Sequence, residues 1–378
     1  MSGLYFAVWI TEQDAPDWNL AAANGVAMIV VIVLGPWIGA LTDHSGRRMP
    51  VLVWGTLVTI GATAMLGTVG LVPSLMFFSI ALMGFNIAGI AYDALLPDVA
   101  APADIGRVSG VGVGVGYIGS FIAVALGAVA EALGWAPTSI FPMIAVAFLL
   151  FALPSFFLVV ERPRPPRKDK PPAFRSVLRH LWDSWQRARA VPGVARFLVG
   201  RFLYTDAINT LTGGFLAIFA TRELGYSGTD VRNLLSASIV TAIFGGLIAS
   251  RLVDRVGPRR YLHAMLYLWM GAMTLGIVIA VTKWTAPICW PGTEACMPLE
   301  AAIIGGVGGV ALAGLWAADR PYMAALSPSE LYGEFYGLYG TVGRFATLLG
   351  PAIWAIIVDG FSLPRTVAMG ALIIALIA

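Results

Sequence analysis

Ten apolar stretches, each about the length of helix that crosses a bilayer, follow one another along the chain and leave it little alternative to a membrane fold. They run over 20–42, 51–71, 73–95, 107–131 and 138–160, then over 196–221, 233–253, 261–282, 299–319 and 333–358. About 20 helical residues at ~1.5 Å each match a hydrocarbon core of ~30 Å. Because lipid offers the backbone no hydrogen-bond partners, the expected class is an all-α membrane protein. Composition agrees: with 58% hydrophobic and 12% charged residues, a chain of 378 lacks the polar surface to cover a water-soluble globule.

Two further apolar pieces, 3–10 and 365–378, are too short to span and stand where one more helix is expected at each end. We read them as truncated helices 1 and 12. The first piece has no basic n-region and no small-residue cleavage site, so a signal peptide is not the reading.

Basic residues sort by side. Apart from Arg344 inside a span, all fall in loops on one side except Arg222, Arg232, Lys283 and Arg365. The positive-inside rule makes the rich side cytoplasmic and places both termini there, in the inner membrane if the source is bacterial. The net charge of +3 is spread over these loops rather than gathered in a patch, which argues against a nucleic-acid partner.

The longest polar stretch, 161–195, divides the chain into a bundle at 1–160 and a bundle at 196–378. It opens with Pro, Lys and Arg, a composition that favours extended, solvated chain. It continues with Phe174, Val177, Leu178, Leu181, Trp182 and Trp185 at helical spacing among Arg175, Arg179, Arg187 and Arg189. That pattern suits a helix on an anionic membrane face, or one packed on the ends of the bundles.

The two halves echo each other. Gly39-Ala-Leu-Thr-Asp43-His-Ser-Gly46-Arg47-Arg48 returns about 210 residues later as Leu252-Val-Asp254-Arg-Val-Gly257-Pro258-Arg259-Arg260, again between apolar runs. Gly106-Arg107-Val-Ser-Gly110 returns as Gly333-Glu334-Phe-Tyr-Gly337. Asp43, Arg47 and Arg48 stand where a carboxylate can meet a helix N-terminus and guanidinium groups can pair with acids or lipid phosphate. Orientation-setting basic residues are the plainer explanation of the arginines.

Gly39 to Arg48 resembles the signature between helices 2 and 3 of the major facilitator superfamily, Gly-x-x-x-Asp-x-x-Gly-Arg-Arg/Lys. Tyr92 to Ala100, Gly106 to Gly119, Arg201 to Thr210 and Glu334 to Tyr339 are similar to its Atg22-like, or UMF1, branch. The resemblance implies two pseudo-symmetric six-helix bundles and rocker-switch alternating access. It assigns Gly39, Asp43, Gly46, Arg47 and Arg48, with Asp254, Gly257, Arg259, Arg260 and Arg107, to a conformational latch, and amino acids or similar zwitterions as the solute.

Ionisable residues within spans point to the transport path, since one facing lipid at mid-bilayer costs at least ~2.5 kcal/mol. Arg344 stands ten residues beyond Glu334, ~15 Å deep, and suits an acidic partner or a carboxylate ligand. Asp206 and Asn209 share a helix face and suit an ammonium or hydroxyl. An Asp206–Arg344 ion pair is the competing structural role. Asn86 and Asp93 share a face of helix 4, while Asp93 and Asp319 near the inner surface suit salt-bridge or gate roles. Cys289 and Cys296, the only cysteines, can close a small disulfide loop on the outer side.

Neither a metal site nor a cofactor is expected, and no nucleophile–base signature suggests an enzyme. Without a phosphate-binding lysine loop, transport would be secondary, and a change of protonation at Asp206 or Asp93 would couple it to protons. Two alternatives remain: a non-transporting scaffold subunit of a membrane complex, and a sensor using the cytoplasmic linker. The expected partners are a small solute and membrane lipid, with the chain acting as a monomer or inside a larger complex.

Overall fold

The computed structural model describes residues 2–99, 105–161, 173–289, 296–328 and 331–377, and these are almost entirely helical. They fall into two compact units. The first comprises residues 1–13 and 19–186, and the second residues 14–18 and 187–378. The boundary thus falls within the expected linker helix, and the short segment Asp14–Trp18 belongs to the second unit.

The first unit holds α1 (Ser2–Glu12), α2 (Asp17–Ser45, from Asn19 onward), α3 (Met49–Ala64), α4 (Leu71–Val99), α5 (Ile105–Ala132), α6 (Ile140–Leu158) and most of α7 (Phe174–Ala190). Short as it is, α1 is packed: Phe6 is fully buried and stacks on Phe78 of α4 at 4.6 Å, with Phe141 of α6 edge-on at 6.2 Å. Buried Leu52, Ala88, Ala91 and Leu95 fasten α3 to α4.

The second unit begins with α8 (Val194–Thr210), which passes through a π-helical segment, Leu211–Phe215, into α9 (Leu216–Arg222). Next come α10 (Gly228–Val256), α11 (Pro258–Thr282), a two-stranded antiparallel hairpin of β1 (Pro287–Cys289) and β2 (Cys296–Pro298), and α12 (Leu299–Leu326). The last stretch is α13 (Tyr332–Phe345), α14 (Leu349–Ala355), a π-helical Ile356–Gly360, and α15 (Arg365–Ile377). Cys289 is disulfide-bonded, and the strand register sets it opposite Cys296, the chain's other cysteine. α15 buries Ala368, Met369 and Leu372.

Seven described helices are long and apolar enough to cross a membrane, fewer than the ten expected spans. The difference has physical reasons. α3 has 16 residues and α8 carries buried charge that lowers its hydropathy, while the N-terminal side chains of α5 lie outside the described residues. Large apolar side chains face outward throughout, among them Trp54 at 70% exposure, Phe157 at 78% and Val281 at 71%. A surface so apolar is at rest only against lipid.

Helix α10 meets α12 backbone to backbone. A Cβ on Gly309 would stand 2.1 Å from the Ser238 carbonyl oxygen, so the contact requires glycine. Gly309→Leu should therefore lower stability by about 3 kcal/mol, the upper range for an overpacked site. A thermal melt in detergent checks this, with Gly271→Leu as control, because Gly271 is exposed and has open space at its Cβ position.

Candidate functional site

Polar side chains of the second unit gather along one rod, α8 through α9. Nearest its start, buried Arg201 forms an ion pair with buried Asp319 of α12, Nε to Oδ2 at 3.0 Å. The hydroxyl groups of Tyr204 and Tyr339 both donate to the same carboxylate. Arg201 Nη1 donates to the Tyr339 carbonyl oxygen at 2.9 Å, and its guanidinium lies 3.6 Å above the Tyr339 ring. The network ties α8, α12 and α13 together with each charge matched, the condition for keeping an ion pair out of water.

One correction to the sequence reading follows. Arg201, counted there with the cytoplasmic loop residues, lies inside the unit. It is the ion-pair partner of Asp319, 118 residues away. Tyr204, one turn after Arg201 and on the same face, was a signal that could have been read.

About 7 Å further along α8, at ~1.5 Å per residue, Asp206 and Asn209 meet an interruption in the neighbouring helix. α13 stops at Phe345, residues 346–348 are not α-helical, and α14 starts at Leu349. Asn209 Nδ2 donates to the freed Ala346 carbonyl oxygen at 2.9 Å. The Asp206 carboxylate faces the backbone N–H groups of Leu348, Leu349 and Gly350, where the dipole of a helix start favours negative charge. Its Oδ1 is buried and has no hydrogen-bond partner. Arg344 occupies the last turn of α13 and is half-buried. Immediately after Thr210, α8 itself loosens into the π segment, in which Gly214 takes φ 134. Two packed helices are therefore interrupted side by side, an arrangement in which backbone and side-chain groups become available to a ligand. The pair Gly350-Pro351 inside an apolar run was the missed sequence signal for the break in the second helix.

At the far end of the rod, buried Asp17 receives Arg365 through two hydrogen bonds, 2.8 and 2.9 Å. Arg222 Nη1 approaches the same carboxylate at 3.3 Å, and Trp354 Nε1 donates to it at 2.9 Å. Arg222 also holds the Ala15 carbonyl oxygen, and the Arg365 backbone N–H donates to Glu223. Sequence reasoning missed this clasp, because its members are 205 and 348 residues apart.

The remaining expected residues are placed as follows. Asn86 donates back to Leu82 of its own helix. In the first loop copy, Gly39 lies within α2 and Gly46 ends that helix at φ 66. Arg47 is exposed, whereas Arg48 Nη1 donates to the Ala94 carbonyl oxygen at the end of α4. Glu161 accepts from the backbone N–H groups of Arg48 and Met49, capping α3. In the second copy, Gly257 separates α10 from α11 at φ 90 and Pro258 begins α11, while Arg259 and Arg260 are exposed. The side chains of Asp43, Asp93, Arg107, Asp254, Cys296 and Glu334 lie outside the described residues.

Residues 103–377 match the family model described as "Vacuole effluxer Atg22 like". The chain belongs to the Atg22-like family. Among relatives, the "Uncharacterized MFS-type transporter YxiO" of Bacillus subtilis is 25% identical over 350 residues, covering 88% of this chain and 76% of its own. Autophagy-related protein 22-1 of Emericella nidulans is 23% identical over 273 residues, covering 68% of this chain. The chain spans under half of that fungal relative, the match covering 45% of it. In three dimensions the chain resembles a point mutant of the nucleoside transporter NupG, with a TM-score of 0.67 over 100% of this chain and 95% of that one, at 12% identity. The fold of this Atg22-like chain is accordingly that of the major facilitator superfamily, in a multi-pass membrane protein of the transporter type. The Bacillus subtilis relative is described as a transporter and the matching family model as an effluxer.

Proposed function

We propose that the protein is a secondary transporter of a small zwitterion, an amino acid or a close analogue, moved by rocker-switch alternating access. The observation that carries this reading is the buried, unpartnered Oδ1 of Asp206 at paired helix interruptions, with Arg344 at the end of the interrupted α13. A buried carboxylate oxygen without a partner calls for a group that supplies one, and an ammonium does so. Arg344 is the complementary residue for the carboxylate of the same solute. The family's description as an effluxer supports outward movement from a compartment. The basic loop distribution supports a cytoplasmic linker, with Arg48 and its second-copy counterparts on that side. Proton coupling through Asp206 is part of the proposal.

Reconstitution into liposomes tests it. Radiolabelled amino acids should accumulate down an imposed gradient, and Arg344→Ala should raise the half-saturating concentration ~10–150-fold, the worth of a hydrogen bond to a charged group. Absence of flux for amino acids from a well-folded protein would favour the scaffold role. Flux that is indifferent to both a collapsed proton gradient and Asp206→Asn would remove the coupling.

A further inference from the structure

Helix α7 has two faces that differ in chemistry and in burial. Ser184 and Ala188 are buried, and Leu181 and Trp185 are half-buried, so this stripe is covered by protein. On the opposite stripe, at spacings of three and four residues, stand Arg175, Arg179, Trp182, Gln186 and Arg189, all exposed, with Trp182 at 60%. Three guanidinium groups therefore surround an outward tryptophan, with exposed Asp183 on the flank.

The position of the helix along the chain says what that face meets. Only Val191–Gly193 separates its last residue from α8, so its C-terminal end lies within a few residues of the segment 196–221 that the sequence leads one to expect in the bilayer. A guanidinium can fork two phosphate oxygens, and an indole ring sits well at headgroup depth. We infer that the Arg175, Arg179, Trp182 and Arg189 face of α7 is a docking surface for anionic phospholipid headgroups of the bilayer that holds the protein. Arginine stems and the ring can insert among the headgroups while the buried stripe keeps the helix on the protein.

The full chain suits a direct test, because Cys289 is disulfide-bonded and a new thiol at Gln186→Cys can be labelled selectively with an environment-sensitive fluorophore. In nanodiscs of phosphatidylcholine alone the label should report water. Adding about 30% phosphatidylglycerol should blue-shift it, and raising the salt from about 0.15 M to about 0.5 M should reverse much of the shift, since screening shortens the Debye length from ~8 Å to ~4 Å. The triple variant Arg175→Gln, Arg179→Gln, Arg189→Gln should weaken docking about 150-fold, at the usual worth of one basic residue near a charged leaflet for each arginine. Its melting temperature should stay unchanged, because all three side chains are exposed. Identical emission in neutral and anionic nanodiscs, or a full shift in the triple variant, would overturn the inference. So would a shift produced only by added polyanionic peptide or RNA.

Discussion

Asp319→Ala should be the most damaging single substitution in the second unit, lowering stability by about 3–5 kcal/mol, as expected when one partner of a buried ion pair is removed. Arg201 would keep its charge in an interior that exposes 5% of it, and the Tyr204 and Tyr339 hydroxyl groups would lose their shared acceptor. In detergent this should appear as a fall of roughly 10 °C or more in melting temperature and loss of a monodisperse peak. The double variant Arg201→Met, Asp319→Leu removes both charges and should recover most of the stability, since apolar groups of similar volume replace buried pairs at little cost. Flux then separates two roles. Recovered folding with no transport would place the charges in the transport cycle, whereas recovery of both would leave them as support. A single Asp319→Ala variant melting within about 1 kcal/mol of the parent would contradict the burial of the pair.

The second large effect belongs to Asp17. Asp17→Ala deprives Arg365, Arg222 and Trp354 of a common acceptor, and about 3 kcal/mol should be lost. The side chains of Arg365 and Arg222 keep 17% and 21% exposure, so water softens the loss relative to Asp319. Asp17→Asn keeps an acceptor for the indole but not the charge, and should fall between. Hydrogen exchange checks where the loss is felt: the Ala15, Asp17 and Trp18 amides should exchange faster in Asp17→Ala, while α10 and α12 stay protected.

Much of the architecture could be read from residues alone because lipid imposes a simple rule, a minimum length of apolar helix. Helix ends were legible where a glycine marks them, as at Gly46 and Gly257, which both take positive φ. Asp206 and Asn209 stood out as polar groups in an apolar run, but not what they hold. Asn209 holds the Ala346 carbonyl oxygen and Asp206 faces the N–H groups at 348–350, where α13 gives way to α14, and a break at Gly350-Pro351 reads in hydropathy as continuous helix. Arg201 reads as a loop residue because one charge near a span end resembles an anchor, and only Asp319, 118 residues away, reveals otherwise. Asp17 was invisible for the same reason.

Helix 7 of this fold, from Val194 to Arg222, is pinned at Arg201 by one carboxylate and at Arg222 by another, about 31 Å apart at the ordinary helical rise. Between the pins lies its one wide turn, at Leu211–Phe215. A strut fastened at both ends cannot swing as a rigid piece; it can only bow. Any displacement of its middle is concentrated in those five residues, beside Asp206, so in the proposed transport cycle seating a solute there and flexing the strut would be one event.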